Sequence, residues 1–218
     1  MDIPANLLPA SSLWIAALVY VALLATAALS APWDKLLDKE GSNIYFGAVA
    51  FIVVVWILRA GIEPGHNYHL LGATALCLMF GWQFALLAIS LVLVITTWQG
   101  PAGWETFAVN ALVMGAVPIL FTRIMLYVCQ RWLPHNFFIY VFINAFLTGA
   151  LAMLLCGFAA SAVLAMAENM MPASSYLQVI PLLMFGEAFL NGMLMILLVA
   201  YKPRWVATFH DHWYLDGK

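Results

Sequence analysis

The stretch His69–Trp98 reads HLLGATALCLMFGWQFALLAISLVLVITTW and carries no Asp, Glu, Lys or Arg. A helix crosses the hydrocarbon core of a bilayer with about 20 apolar residues, so this run is too long for one ordinary span. Gly81-Trp82 lies where a break divides it. The run therefore predicts a short helix over 69–80 and a full one over 82–98. A short helix at membrane depth is tolerated only where its irregular ends are covered by protein or line a cavity. Its start, near His69, is thus a place to look for function.

The rest of the chain agrees with a membrane setting. It is 66% hydrophobic and 8% charged, with a mean hydropathy of +0.98. Soluble domains are about half apolar and about a quarter charged. Further apolar runs predict helices over 13–30, 43–60, 104–131, 136–167 and 176–201. Between them lie a charged loop at 32–42, the breaker turn Gly61-Ile62-Glu63-Pro64-Gly65 and the loop Gln99–Gly103. The fold expected is an all-α integral membrane protein, one compact bundle of about seven transmembrane helices across residues 1–218. The amino terminus lacks the positive flank of a secretory signal, and Pro32 spoils the cleavage context at 28–31, so the first helix is expected to be retained.

Charge sets the expected orientation. Lys35, Lys39, Arg131, Lys202, Arg204 and Lys218 fall on one side of a seven-span topology, with Arg59 alone on the other. The positive-inside rule then places the amino terminus outside and the carboxyl terminus in the cytoplasm, in a cell inner (plasma) membrane. A net charge of -2 without a basic run argues against nucleic acid as a partner. Cys77, Cys129 and Cys156 sit in apolar runs without Cys-x-x-Cys spacing and read as small buried hydrophobes.

Polar residues inside such a bundle are functional candidates or interhelical glue. Asn110 and Glu187 stand inside the fifth and seventh predicted helices. His66 and His69 stand at the mouth of the third, three apart, and imidazole is the commonest metal ligand. His210 and His212 read as a solvated tail, His135 as a structural turn residue and Arg123 as a snorkelling side chain. No His-Glu-x-x-His metalloprotease motif and no phosphate-binding Gly-x-x-x-x-Gly-Lys-Ser/Thr loop occurs. An enzyme is not expected.

Four blocks in order carry a resemblance: Met1-x-Ile3-Pro4, His69-Leu70-Leu71-Gly72, Asn110-Ala111-Leu112-x-Met114-Gly115 and Gly186-Glu187-Ala188. Together they resemble the CbiM/NikM family, the membrane substrate-binding components of energy-coupling-factor (ECF) ABC transporters for cobalt and nickel. The resemblance implies a seven-helix bundle with the amino terminus tucked in from outside. It implies a metal site made by the terminal amine of Met1, the second residue, and the histidine that opens the third helix, here His69. It also implies a transmembrane coupling subunit and ATPase subunits as partners.

The chain departs from the pattern at Asp2, where the family has histidine. A carboxylate replaces an imidazole, and His66 becomes a replacement ligand. A mixed nitrogen and oxygen site suits Co(II) or Zn(II) better than planar Ni(II). Met1, Asp2, His66 and His69 are the expected metal ligands, with Asn110 and Glu187 orienting them. The expected function is capture and uptake of a divalent transition metal (cobalt, nickel or zinc). The alternative is a membrane metal sensor or interaction protein that keeps the fold without transport.

Overall fold

The computed structural model describes residues 2–4, 6–61, 67–99, 103–166, 174–210 and 214. Helix α1 is Ala10–Ser30, the short α2 is Asp34–Leu37 and α3 is Lys39–Ile57. Two-residue strands follow, β1 (Ala60–Gly61) and β2 (Asn67–Tyr68). Then come α4 (Ala73–Phe80), α5 (Trp82–Gln99), α6 (Trp104–Trp132), α7 (Phe137–Ala165) and α8 (Ser174–Tyr201). Among the described residues, six helices are long and apolar enough to cross a membrane. Helix α4, too short to cross, is the seventh member of the bundle. The chain is an all-helical, multi-pass membrane protein.

Helix α3 begins four residues earlier than expected because Asp38 caps it, its carboxylate accepting from the Gly41 amide at 3.1 Å. The charged loop after α1 is thus largely helical. Large apolar side chains on the outside of the bundle, such as Trp14, Leu18 and Leu29, are left bare for lipid.

Helix α4 is the inner element. Every residue from Ala73 to Met79 is buried, and α4 packs against α5, α6, α7 and α8. Gly81 adopts φ +85, a left-handed conformation that glycine takes without penalty, and this breaks the long apolar run. A helix that ends inside a bundle leaves carbonyls without intrahelical partners. The carboxyl-terminal segment supplies donors for them. The amides of Ala207 and Thr208 donate to the Met79 and Leu78 carbonyls at 2.9 and 3.3 Å, and the Thr208 hydroxyl donates to the Leu78 carbonyl at 2.8 Å. Val206, Phe209 and Tyr214 are buried against α7 residues such as Tyr140. The segment that carries His210 thus packs back as part of the bundle, while His210 itself stays exposed, as expected of a solvated side chain. His212 lies outside the described residues.

Candidate functional site

The mouth of α4 is built by polar groups from distant parts of the chain. His69 does not open the helix, which starts at Ala73. Gly72 intervenes at φ +65, and a Cβ there would collide with the Ile52 side chain. Residues 69–72 are instead a non-helical lead-in, held by Glu187 of α8. Its carboxylate accepts from the Leu71 amide at 2.7 Å and the Gly72 amide at 2.8 Å. Asn191, one helical turn further along α8, donates to the same carboxylate at 2.8 Å and accepts from the Ala75 amide at 2.7 Å. These contacts to the carboxylate all come from donors, so Glu187 acts as an acceptor for the orphan amides at the start of α4. Both residues are buried.

The amino-terminal segment enters from the other side. Ile3 is fully buried, and Asn110 grips its backbone. Asn110 Oδ1 accepts from the Ile3 amide at 2.8 Å, and Asn110 Nδ2 donates to the Ile3 carbonyl at 3.2 Å. A side-chain amide offers an acceptor and a donor side by side, so it pairs with both backbone groups of one residue, as a neighbouring strand would. The Thr106 hydroxyl donates to the same carbonyl at 2.8 Å. Asn110 ends one regular turn of α6, and a wide π-helical turn, Ala111–Ala116, follows. That turn precedes Pro118, whose ring cannot donate to the helix and crowds the carbonyl four residues back.

These two holds bring Asp2 and His69 together. His69 Nε2 lies 3.7 Å from Asp2 Oδ1. The ring's other nitrogen, Nδ1, lies 3.1 Å from the Leu70 carbonyl oxygen, a contact that assigns the ring proton to Nδ1. Nε2 then carries a lone pair, is buried and has no hydrogen-bond partner among the described residues. At 3.7 Å the approach to Asp2 is electrostatic, longer than a hydrogen bond. Trp56 flanks the imidazole, with ring centroids 4.5 Å apart, and its indole donates to the Leu71 carbonyl at 3.2 Å.

Arg59 completes the cluster. Its Nη1 lies 3.3 Å from Asp2 Oδ2. The strand pair explains its position. Ala60 is opposite Tyr68 and Gly61 opposite Asn67, so Arg59 and His69 flank the same end of the antiparallel ladder. Burial alone would raise the Asp2 pKa, but the facing His69 ring, the terminal ammonium and, more weakly, the Arg59 guanidinium outweigh it and hold the carboxyl down at about 2. Burial, and after it the terminal ammonium, push the His69 pKa below its ordinary value, and the Asp2 carboxylate opposes that shift without reversing it. A neutral imidazole facing an ionised carboxylate is a donor pair for a cation. Metal–nitrogen and metal–oxygen bonds of about 2.1 Å each reach across a gap of 3.7 Å.

Of the residues singled out from the sequence, Asp2, His69, Asn110 and Glu187 fall in this one region. Met1 and His66 lie outside the described residues. Among the described residues, no three His, Cys, Asp or Glu side chains converge as a metal cluster. Arg59, Asn191 and Thr106 were not anticipated. The signal for Asn191 was its spacing of four from Glu187, which puts both on one helical face.

The family described as the cobalt uptake substrate-specific transmembrane region, CbiM, matches residues 2–205. Among curated proteins, none matches the chain. Two solved structures share its fold. One is a truncated transition metal transporter, with a TM-score of 0.71 and 19% identity, covering 94% of this chain and 99% of that one. The other is a transition metal transporter, with a TM-score of 0.74 and 18% identity, covering 94% of this chain and 93% of that one.

Proposed function

Because this chain belongs to the CbiM family of cobalt-uptake transmembrane proteins, we propose that it captures a divalent transition metal ion outside the cell and hands it on as the membrane substrate-binding component of an ECF-type ABC transporter. The carrying observation is the buried Nε2 of His69 facing the Asp2 carboxylate at 3.7 Å. In this reading the amine of Met1, Asp2 and His69 bind the ion, with His66 as the replacement imidazole. Asn110 and Glu187 bind no metal. Asn110 holds the segment that carries Asp2, and Glu187 holds the segment that carries His69.

The ligand chemistry favours Co(II) or Zn(II). A carboxylate oxygen does not extend the all-nitrogen planar set that suits Ni(II). Since the sequence lacks a nucleotide-binding loop, energy for active uptake comes from ATPase subunits through a transmembrane coupling subunit. An outward orientation is supported by the lysines and arginines at the opposite end, where Lys35, Lys202 and Arg204 line one cavity together with Asp38 and Glu40. Uptake of radioactive cobalt by cells that express the chain with its coupling and ATPase partners tests the reading. Accumulation is expected with wild type and is lost in His69→Ala. Equal accumulation by both would contradict it.

A further inference from the structure

The guanidinium of Arg59 sits on the carboxylate that the proposed site offers to a metal. Asp2 Oδ2 is 3.3 Å from Arg59, while Asp2 Oδ1 faces His69 at 3.7 Å. We infer that Arg59 is a resident counter-cation of the metal-free site, and that the incoming metal displaces it from Asp2. This inference rests on the metal site proposed above.

The argument is electrostatic. A carboxylate at the mouth of a membrane helix is costly without a compensating charge, and the Asp2 side chain is only 13% exposed. Arg59, paired with Asp2 Oδ2, provides part of that charge beside the terminal ammonium. A divalent ion bound between Asp2 and His69 carries twice the charge and approaches the carboxylate more closely than a guanidinium does. The same ion would then lie close to a fixed positive charge, and the two repel. Arg59 has room to leave. Its side chain is 26% exposed, and it lies beyond the end of α3, with its amide turned back onto the Ile57 carbonyl at 2.9 Å.

Two consequences follow for the metal. Affinity is held below what the ligands alone would give, because every binding event must break an ion pair. Monovalent ions are also excluded, since they bring no advantage in charge over the guanidinium they must replace. Arg59 thus acts as a positioning and specificity residue for Asp2, while binding no metal itself.

The experiment uses the purified full chain in detergent, with cobalt(II) chloride as the probe. Removing the competitor in Arg59→Gln should tighten cobalt binding by about five- to fiftyfold. Arg59→Lys, which keeps the charge, should return it towards the wild-type value. A residue needed only to hold the amino-terminal segment would give the opposite result, weaker binding in Arg59→Gln, and that or unchanged binding overturns the inference. Wild type supplies a second readout if the variant does not fold. Phenylglyoxal modification, mapped by mass spectrometry, should increase at Arg59 on cobalt loading while Arg131 and Arg204 stay constant. Unchanged or reduced modification at Arg59 also overturns it. His69→Ala separates the two claims. If it binds cobalt as wild type does, or if wild type binds none, the metal site itself falls and this inference with it. If His69→Ala loses binding and Arg59→Gln is unchanged, only the role of Arg59 falls.

Discussion

At the scale of single residues, the decisive change is Asp2. In the proposed site, a carboxylate in place of an imidazole would alter both the donor atom and the charge. Elemental analysis of purified protein should show cobalt or zinc in wild type and a shift towards nickel in Asp2→His. Identical metal profiles would remove Asp2 from the ligand set. Asp2 also links stability to pH. Its folded pKa of about 2 lies below the ordinary 3.8, so its contribution to stability is complete above 3.8 and is lost as pH falls through 2. The difference in unfolding temperature between metal-free wild type and Asp2→Asn should therefore be constant near neutral pH and shrink below pH 3.8. A difference that grows on acidification would contradict the assignment. Asp2 and His69 were legible because they stand in short ordered blocks. Arg59 was not, because its role depends on a strand pair too short to leave a sequence pattern. In the sequence it was only the lone cation on its side of the membrane.

At the scale of elements, α4 depends on groups supplied from outside it. Its first amides are held by Glu187 and Asn191 and its last carbonyls by the carboxyl-terminal segment. Glu187→Ala leaves the buried amides of Leu71 and Gly72 without acceptors, at a cost on the order of 3 kcal/mol. Thermal unfolding in detergent should show that loss, and cobalt affinity should fall with it because the lead-in carrying His69 is released. Wild-type affinity in a destabilised Glu187→Ala would show that the lead-in keeps its place without the carboxylate. The run from His69 to Phe80 reads as continuous helix by hydropathy alone. The first four residues are not helical, because Gly72 turns left-handed and its amide goes to a side chain far along the chain. Hydropathy registers burial and is blind to a hydrogen-bond partner 115 residues away. The break at Gly81, by contrast, was legible, since glycine there follows a helix-length run and precedes another.

At the scale of the whole molecule, the bundle separates two ends. One gathers Asp2, Arg59 and His69, and the other gathers Lys35, Lys202 and Arg204. Cysteine labelling tests the orientation, and the native cysteines are all buried. Leu58→Cys, at the end that carries Asp2 and His69, should react with a membrane-impermeant thiol reagent in intact cells. Leu37→Cys, at the other end, should react only after permeabilisation. The reverse pattern would turn the protein over in the membrane and remove the argument for capture from outside. The central claim remains the donor pair that Asp2 and His69 form at the mouth of α4. Isothermal titration of the purified chain with cobalt(II) tests it most directly, with His69→Ala beside wild type and thermal unfolding to show that both are folded. The expected result is one bound ion per wild-type chain, and an affinity reduced about a hundredfold or more in the variant. Equal affinity in the two proteins would contradict the account.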